Sequence, residues 1–266
     1  IDFDGTVSIG GDVAAGMTVR ATGDIEVGGV VENATLEAGG SITVKGGVIG
    51  NLGHQGGGDQ HVRCDGNFTA AYVQQARIEA GDSIFVDDLA MQSELSAINH
   101  IRVGHQRRGH IIGGVAHATL SITAKVVGSP NRTRTRLEVG VNPLMHKQML
   151  DLAHDRDGRE TQLLEVSKLL DFAIKHPGKL PPPVMEKARA TAASLVVGIA
   201  ELREAQEALN HKLELSQDAR VTAEQAIHEG AEVAVGSHRY RVTGERGPMV
   251  IGMNEAGVLG PLEISG

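Results

Sequence analysis

Between Val7 and Val48 an apolar residue returns at nearly every sixth position: Val7, Val13, Val19, Ile25, Val31, Leu36, Ile42 and Val48. Only the step from Val31 to Leu36 is five. A second apolar residue often follows two places on, as in Val7/Ile9, Ile25/Val27 and Ile42/Val44. A step of two puts both side chains on one face of a strand. Three steps of six make one turn of a parallel β-helix, in which strands too short to bury a face alone stack into a continuous apolar interior. A β-sandwich with glycine-rich turns rarely holds one period over so many strands.

Small and turn-forming residues separate the apolar positions, as in Gly10-Gly11-Asp12, Gly28-Gly29 and Gly39-Gly40-Ser41. Glycine there is expected to supply positive φ and close backbone approach, and Asp and Ser to bond their own backbone. The doublet returns at Ile84/Val86, Ile101/Val103 and Leu120/Ile122, first seventeen residues apart and then slightly more. The chain holds 35 glycines and only 2% aromatic residues, which suits a narrow coil filled by aliphatic side chains.

The rhythm breaks twice. Residues 46–65 carry seven glycines between Gly46 and Gly58 and read as a loop thrown out from one corner. A second, basic excursion runs Gly104-His105-Gln106-Arg107-Arg108-Gly109-His110. Arg132, Arg134 and Arg136 alternate and are expected on the wet face of one strand. At Pro143 the period changes. Met145, Met149, Leu152, Leu163, Val166, Leu170 and Ala173 step by four and three, with Arg156 and Arg159 in two skipped seats. Prolines between His176 and Pro183 must end that helix. A second seam runs Ala188, Ala192, Leu195, Ile199, Leu202, Gln206, Leu209, Leu213, Ser216, Arg220, Ala223, Ile227. The fold class expected is mainly β: a parallel β-helix over 1–142, right-handed with about 17–18 residues per turn. An antiparallel coiled-coil hairpin over 143–229 is inserted into it, and short strands over 230–266 return to the coil. The longer helix would reach roughly 65–70 Å, so the hairpin is expected to project.

A formal net charge of −8 argues against a nucleic-acid partner. One cysteine, Cys64, excludes an internal disulfide framework and fits a reducing, cytoplasmic setting. No apolar run approaches the roughly 20 residues that cross a bilayer, so no membrane insertion is expected. The chain opens Ile1-Asp2-Phe3, without methionine and already inside the repeat, which reads as a fragment.

Chemistry is sparse. His54, His61, His110 and His117 fall in or beside the loops. A loop histidine on a coil of six-residue steps is also the general base of hexapeptide acyltransferases, whose step is stricter. None has an acidic or cysteine partner at zinc spacing. Asp87-Asp88 reads as a solvated corner rather than a carboxylate pair for sugar hydrolysis. The glycine loop lacks a Gly-Lys-Ser/Thr ending and is not a phosphate loop. No catalytic, cofactor or metal residue is assigned. Partner contacts are expected at Arg107, Arg108 and His110, which suit an acidic group or phosphate, and at Gly56, Gly57 and Gly58.

With this architecture the chain resembles the flagellar assembly protein A family. The matching features are GDIEVGGVVENATLEAGGSITVKGGVIG, GGVAHATLSITAKVVGS and the order coil, helical hairpin, short strands. The resemblance covers essentially all of the chain. It implies a non-enzymatic scaffold or adaptor in flagellar assembly or its polar placement, with other proteins as partners, no cofactor and a cytoplasmic or polar location. A homo-oligomer stays open. The family's β-helix is similar to that of the filament-forming bactofilins. The alternatives are an acyltransferase-like enzyme on a left-handed coil and a filament-forming cytoskeletal protein.

Overall fold

In a computed structural model the chain is described over residues 1–52, 60–104, 108–140, 143–176, 178–179, 181–215 and 218–262. It divides into two compact units: Ile1–Gly140 with Leu215–Gly266, and Val141–Glu214.

The first unit is a solenoid of stacked parallel strands. Its inward side chains form three columns. One holds Val7, Ile25, Ile42, Phe68, Ile84, Ile101, Ile122 and Val221. The next holds Val13, Val31, Val48, Val73, Ala90, Ile111, Val127 and Ile227. The third holds Val19, Leu36, Val62, Ile78, Leu95, Ala116, Leu137 and Val233. All but Val7 are buried. Burying one such aliphatic side chain contributes about 1.5–3 kcal/mol, so the columns dominate the stability of the coil.

The six-residue step is therefore one face of the coil per step. The five-residue step also has a cause. Between the second and third columns the chain turns through Asn33, Gln75, Gln92 and Gly113, all at positive φ. A left-handed residue turns the chain within fewer positions. Gly28 and Gly39 do not share that conformation, contrary to expectation. A Cβ on Gly28 would stand 2.6 Å from the Gly10 carbonyl oxygen, one turn back, and one on Gly39 would meet that of Thr22. Their role is close approach between turns. Polar corner residues also bond across turns rather than to their own backbone. Thr6, Asp24, Ser41 and Asn67 each accept from the backbone N–H of the equivalent residue one turn on, at 3.3, 2.6, 3.1 and 3.2 Å.

Three long excursions leave from three different corners. Residues 50–61 lie between the second and third columns, 104–109 between the first and second, and 140–219 between the third and first. The doublet expected at Leu120/Ile122 is in fact Ile122/Ala124, with Leu120 at the corner. Arg132 is not on a strand. It sits in a turn at φ 54, and only Arg134 and Arg136 flank the buried Thr135.

The last rung is closed on every face. Arg220–Ile227 continues the stack on Ser121–Val127, and Met249–Met253 takes its other edge antiparallel. Ala231–Val235 stacks on Thr135–Val139 and is covered by the antiparallel strand His238–Arg241. Arg246 bridges Ile227 on the remaining face. Antiparallel strands use up the edge that a parallel coil would leave open.

The second unit holds α1 (Pro143–Lys175) and α2 (Pro182–Leu215). Arg156 donates to Gln206 Oε1 at 3.0 Å and Arg203 to Glu160 Oε1 at 2.7 Å, so the helices run in opposite directions. Their seats at Met149, Leu152, Leu163, Leu170, Ala188, Leu195, Ile199 and Leu209 are buried or half-buried as the four-three spacing requires. Arg159 does not fill a seat; it lies exposed across Gly198, and Glu160 takes the half-buried place. Met145, Leu213 and Ser216 lie outside the side chains described. The second helix ends at Leu215 and spans about 51 Å. Residues 220–227, expected to carry its seam onward toward 229, are instead the strand Arg220–Ile227. Its inward Ala223 and Ile227 stand four apart because the strand bends around a corner of the coil. That corner step coincides with a helical step.

Candidate interaction site

The basic excursion is pinched at its neck. Gly104 N–H donates to the Val86 carbonyl at 2.8 Å and Gly109 N–H to that of Asp88 at 2.9 Å. Both glycines have positive φ, 104° and 71°. A Cβ on Gly109 would come 3.0 Å from the aliphatic stem of Lys125, which crosses the neck. Arg107 lies outside the described residues, as do Gly56, Gly57 and Gly58.

Arg108 and His110 come together on one shallow cleft with Asp88, Lys125 and Gln225. Four successive turns supply these residues. Register accounts for the meeting: Leu89 pairs with His110, His110 with Val126, and Val126 with Ala226. Arg108 Nε and Nη2 each donate to Asp88, one to either carboxylate oxygen, at 3.0 Å. Asp88 is 17% exposed and Arg108 75%, so an inner carboxylate orients an outer guanidinium. This overturns the solvated corner expected for Asp88. The bond to Asp88 strengthens the hold of Arg108 on its proton. Burial lowers the pKa of His110, Arg108 and His228 add to that, and Asp88 opposes it. The cleft thus offers a fixed, permanently charged guanidinium beside a mostly neutral imidazole. Such a group suits a carboxylate or phosphate on a partner. The sequence pointed to Arg108 and His110 but not to Asp88, Lys125 or Gln225, which lie in other turns.

The remaining histidines are placed elsewhere. His54 lies outside the described residues. His61 Nε2 sits 3.3 Å from Glu37, which also takes the Arg20 guanidinium at 2.6 Å. His117 is not in a loop. It is on the strand His110–Ala118, facing outward, with Nδ1 3.8 Å from Glu138. Near the closed end Glu232 is 7% exposed, and Arg239 and Arg241 donate to it at 3.2 and 3.1 Å. Burial pushes this carboxyl up, but Arg241, Arg239 and Arg136 outweigh it and hold the pKa below its ordinary value. These charges clamp the strand His238–Arg241 onto the last rung. Among the described residues no cluster of three His, Cys, Asp or Glu could hold a metal ion, and no helix is long and apolar enough to cross a membrane.

A coil of this kind, with charge arrayed on its outer faces and an open cleft at a corner, defines a β-solenoid that presents surface. Residues 1–258 match the family described as the Flagellar Assembly Protein A beta solenoid domain, and the chain belongs to that family. Neither the curated proteins nor the solved structures give a significant match. Membership ties the chain to flagellar assembly.

Proposed function

We propose that this domain is a non-enzymatic scaffold or adaptor in bacterial flagellar assembly or its polar placement, acting in the cytoplasm through protein–protein contacts. The family match over residues 1–258 carries the reading. The cleft supports it. Arg108 is the docking group, oriented by Asp88 and flanked by His110, and it receives an acidic or phosphorylated surface of the partner. The coil is right-handed. Its mixed five- and six-residue steps and bent corners differ from the strict steps of left-handed acyltransferase coils. The two helices pair as a coiled coil through their four-three seats.

Flagella counted on cells lacking this gene, with and without a plasmid copy, test the process. Missing or misplaced flagella restored by the plasmid are the expected result, and normal flagella would sink it. A plasmid carrying Arg108→Glu is expected to restore few or no flagella despite normal protein levels. Full rescue by that variant would remove the cleft from the mechanism while leaving the process intact.

A further inference from the structure

The hairpin is polarised along its length. Its closed half, residues 166–195, carries the cations Lys168, Lys175, Lys179, Lys187 and Arg189 against the two carboxylates of Asp171 and Glu186. The other half, residues 143–165 and 196–214, carries five cations against nine carboxylates. All five cations of the closed half are exposed. The same end exposes large apolar side chains: Leu169 at 40%, Phe172 at 45%, Ile174 at 71% and Val184 at 41%. The turn that joins the helices holds them close together. His176 N–H donates to the Phe172 carbonyl at 3.0 Å, Gly178 takes positive φ, and Pro181 accepts from the first N–H groups of α2. The Phe172 ring rests against that of His176, with centroids 4.7 Å apart.

We propose that this closed end is a peripheral membrane contact that seats on an anionic lipid surface. Apolar studs ringed by lysines enter the headgroup–acyl boundary while the cations meet lipid phosphates, and one or two helical turns suffice for that depth. The chemistry favours lipid over a folded acidic partner. A protein would need a cup for each stud and usually meets a cleft in return. The clefts described on the hairpin lie around Leu152 and Leu209 and around Leu163 and Ile199, the second reaching only as far as Ser167 and not to Phe172, Ile174 or Val184. A lipid surface deforms around separate studs and needs no cleft. The contact is peripheral, because neither helix is apolar enough to span a bilayer. It does not depend on the docking role given to Arg108.

The test is co-sedimentation of the whole chain with vesicles of phosphatidylcholine alone or with one third phosphatidylglycerol. Binding to the anionic vesicles, absent with the neutral ones and weakened by molar salt, is expected. Lys175→Glu with Lys179→Glu and Lys187→Glu should weaken it by about tenfold or more, since each cation near the surface adds to the attraction. Phe172→Ser with Ile174→Ser should weaken it at unchanged helix content. Arg108→Glu should bind vesicles as the parent does. Should the serine variant unfold, the lysine variant alone decides. No binding to anionic vesicles at low salt overturns the proposal. So does equal binding by the lysine variant, or capture of the chain by polyglutamate but not by vesicles.

Discussion

Single residues in this coil carry large consequences because each inward side chain touches the turn above and the turn below. Ile84 is fully buried and pairs with Phe68 on one side and Ile101 on the other. Ile84→Asp would place an unpaired charge among aliphatic side chains, at a cost comparable to the whole stability of a domain. The expected result is an unfolded or insoluble coil by circular dichroism, and a normal melting curve would refute the inward assignment. Cys64 lies in the same interior. Burial pushes its thiol up to about 11, so it is a packed side chain and not a reactive one. His117 links stability to pH. Burial holds it below the ordinary 6.5, with Glu138 pulling the other way. Below 6.5 the unfolded chain takes up a proton that the folded chain resists, so stability is full above that pH and declines as pH falls. His110 acts in the same sense. Glu232, held low by its arginines, adds a further loss below its ordinary 4.5. The melting temperature is therefore expected to drop between about pH 7.5 and about pH 5.5, and His117→Gln should flatten that drop. An equally steep drop in the variant would place the effect elsewhere.

At the scale of elements, the hairpin is an insertion in one corner. A Cβ on Gly140 would come 4.0 Å from that of Ala219, so the two ends of the excursion meet. Removing residues 143–215 and closing the gap with a short linker is expected to leave a cooperative melting transition close to that of the parent. Extending the deletion to 229 removes the strand Arg220–Ile227 and should lower the melting temperature sharply, because the first two columns then lose their last rung. Equal melting of both deletions would show that this strand is not part of the coil. The difference between the two deletions also shows what the sequence reveals. The inward columns were legible because each face of the coil repeats the same inward aliphatic position turn after turn, as at Ile25, Val31, Leu36 and Ile42. The end of α2 was not, because Ala223 and Ile227 keep a helical interval while sitting in a bent strand. The cleft was half legible. Arg108 and His110 stand out as a basic loop, but Asp88 joins them only through register, which no local pattern encodes.

At the scale of the whole chain, the two units answer different demands. The solenoid is apolar within and finished at its last rung by antiparallel strands on two faces and an isolated antiparallel bridge, Ile227 to Arg246, on the third. That finish discourages end-to-end growth from that rung and favours a surface-presenting role over a filament. Among its described side chains the helical unit buries few fully, and its carboxylates gather away from the closed end, leaving five exposed cations there beside Leu169, Phe172, Ile174 and Val184. The docking proposed for the corner cleft and the seating proposed for the hairpin end are separable, and Arg108→Glu and the lysine variant are expected to fail in different assays.

The order of the chain also sets a schedule for its synthesis. The rungs up to Val139 can stack as they leave the ribosome, each on the one before. The final rung must wait while residues 140–219 are made, roughly 4–16 s at usual rates. Through that interval the edges of Ser121–Val127 and Thr135–Val139 stand open, the moment at which two nascent chains could join by mistake.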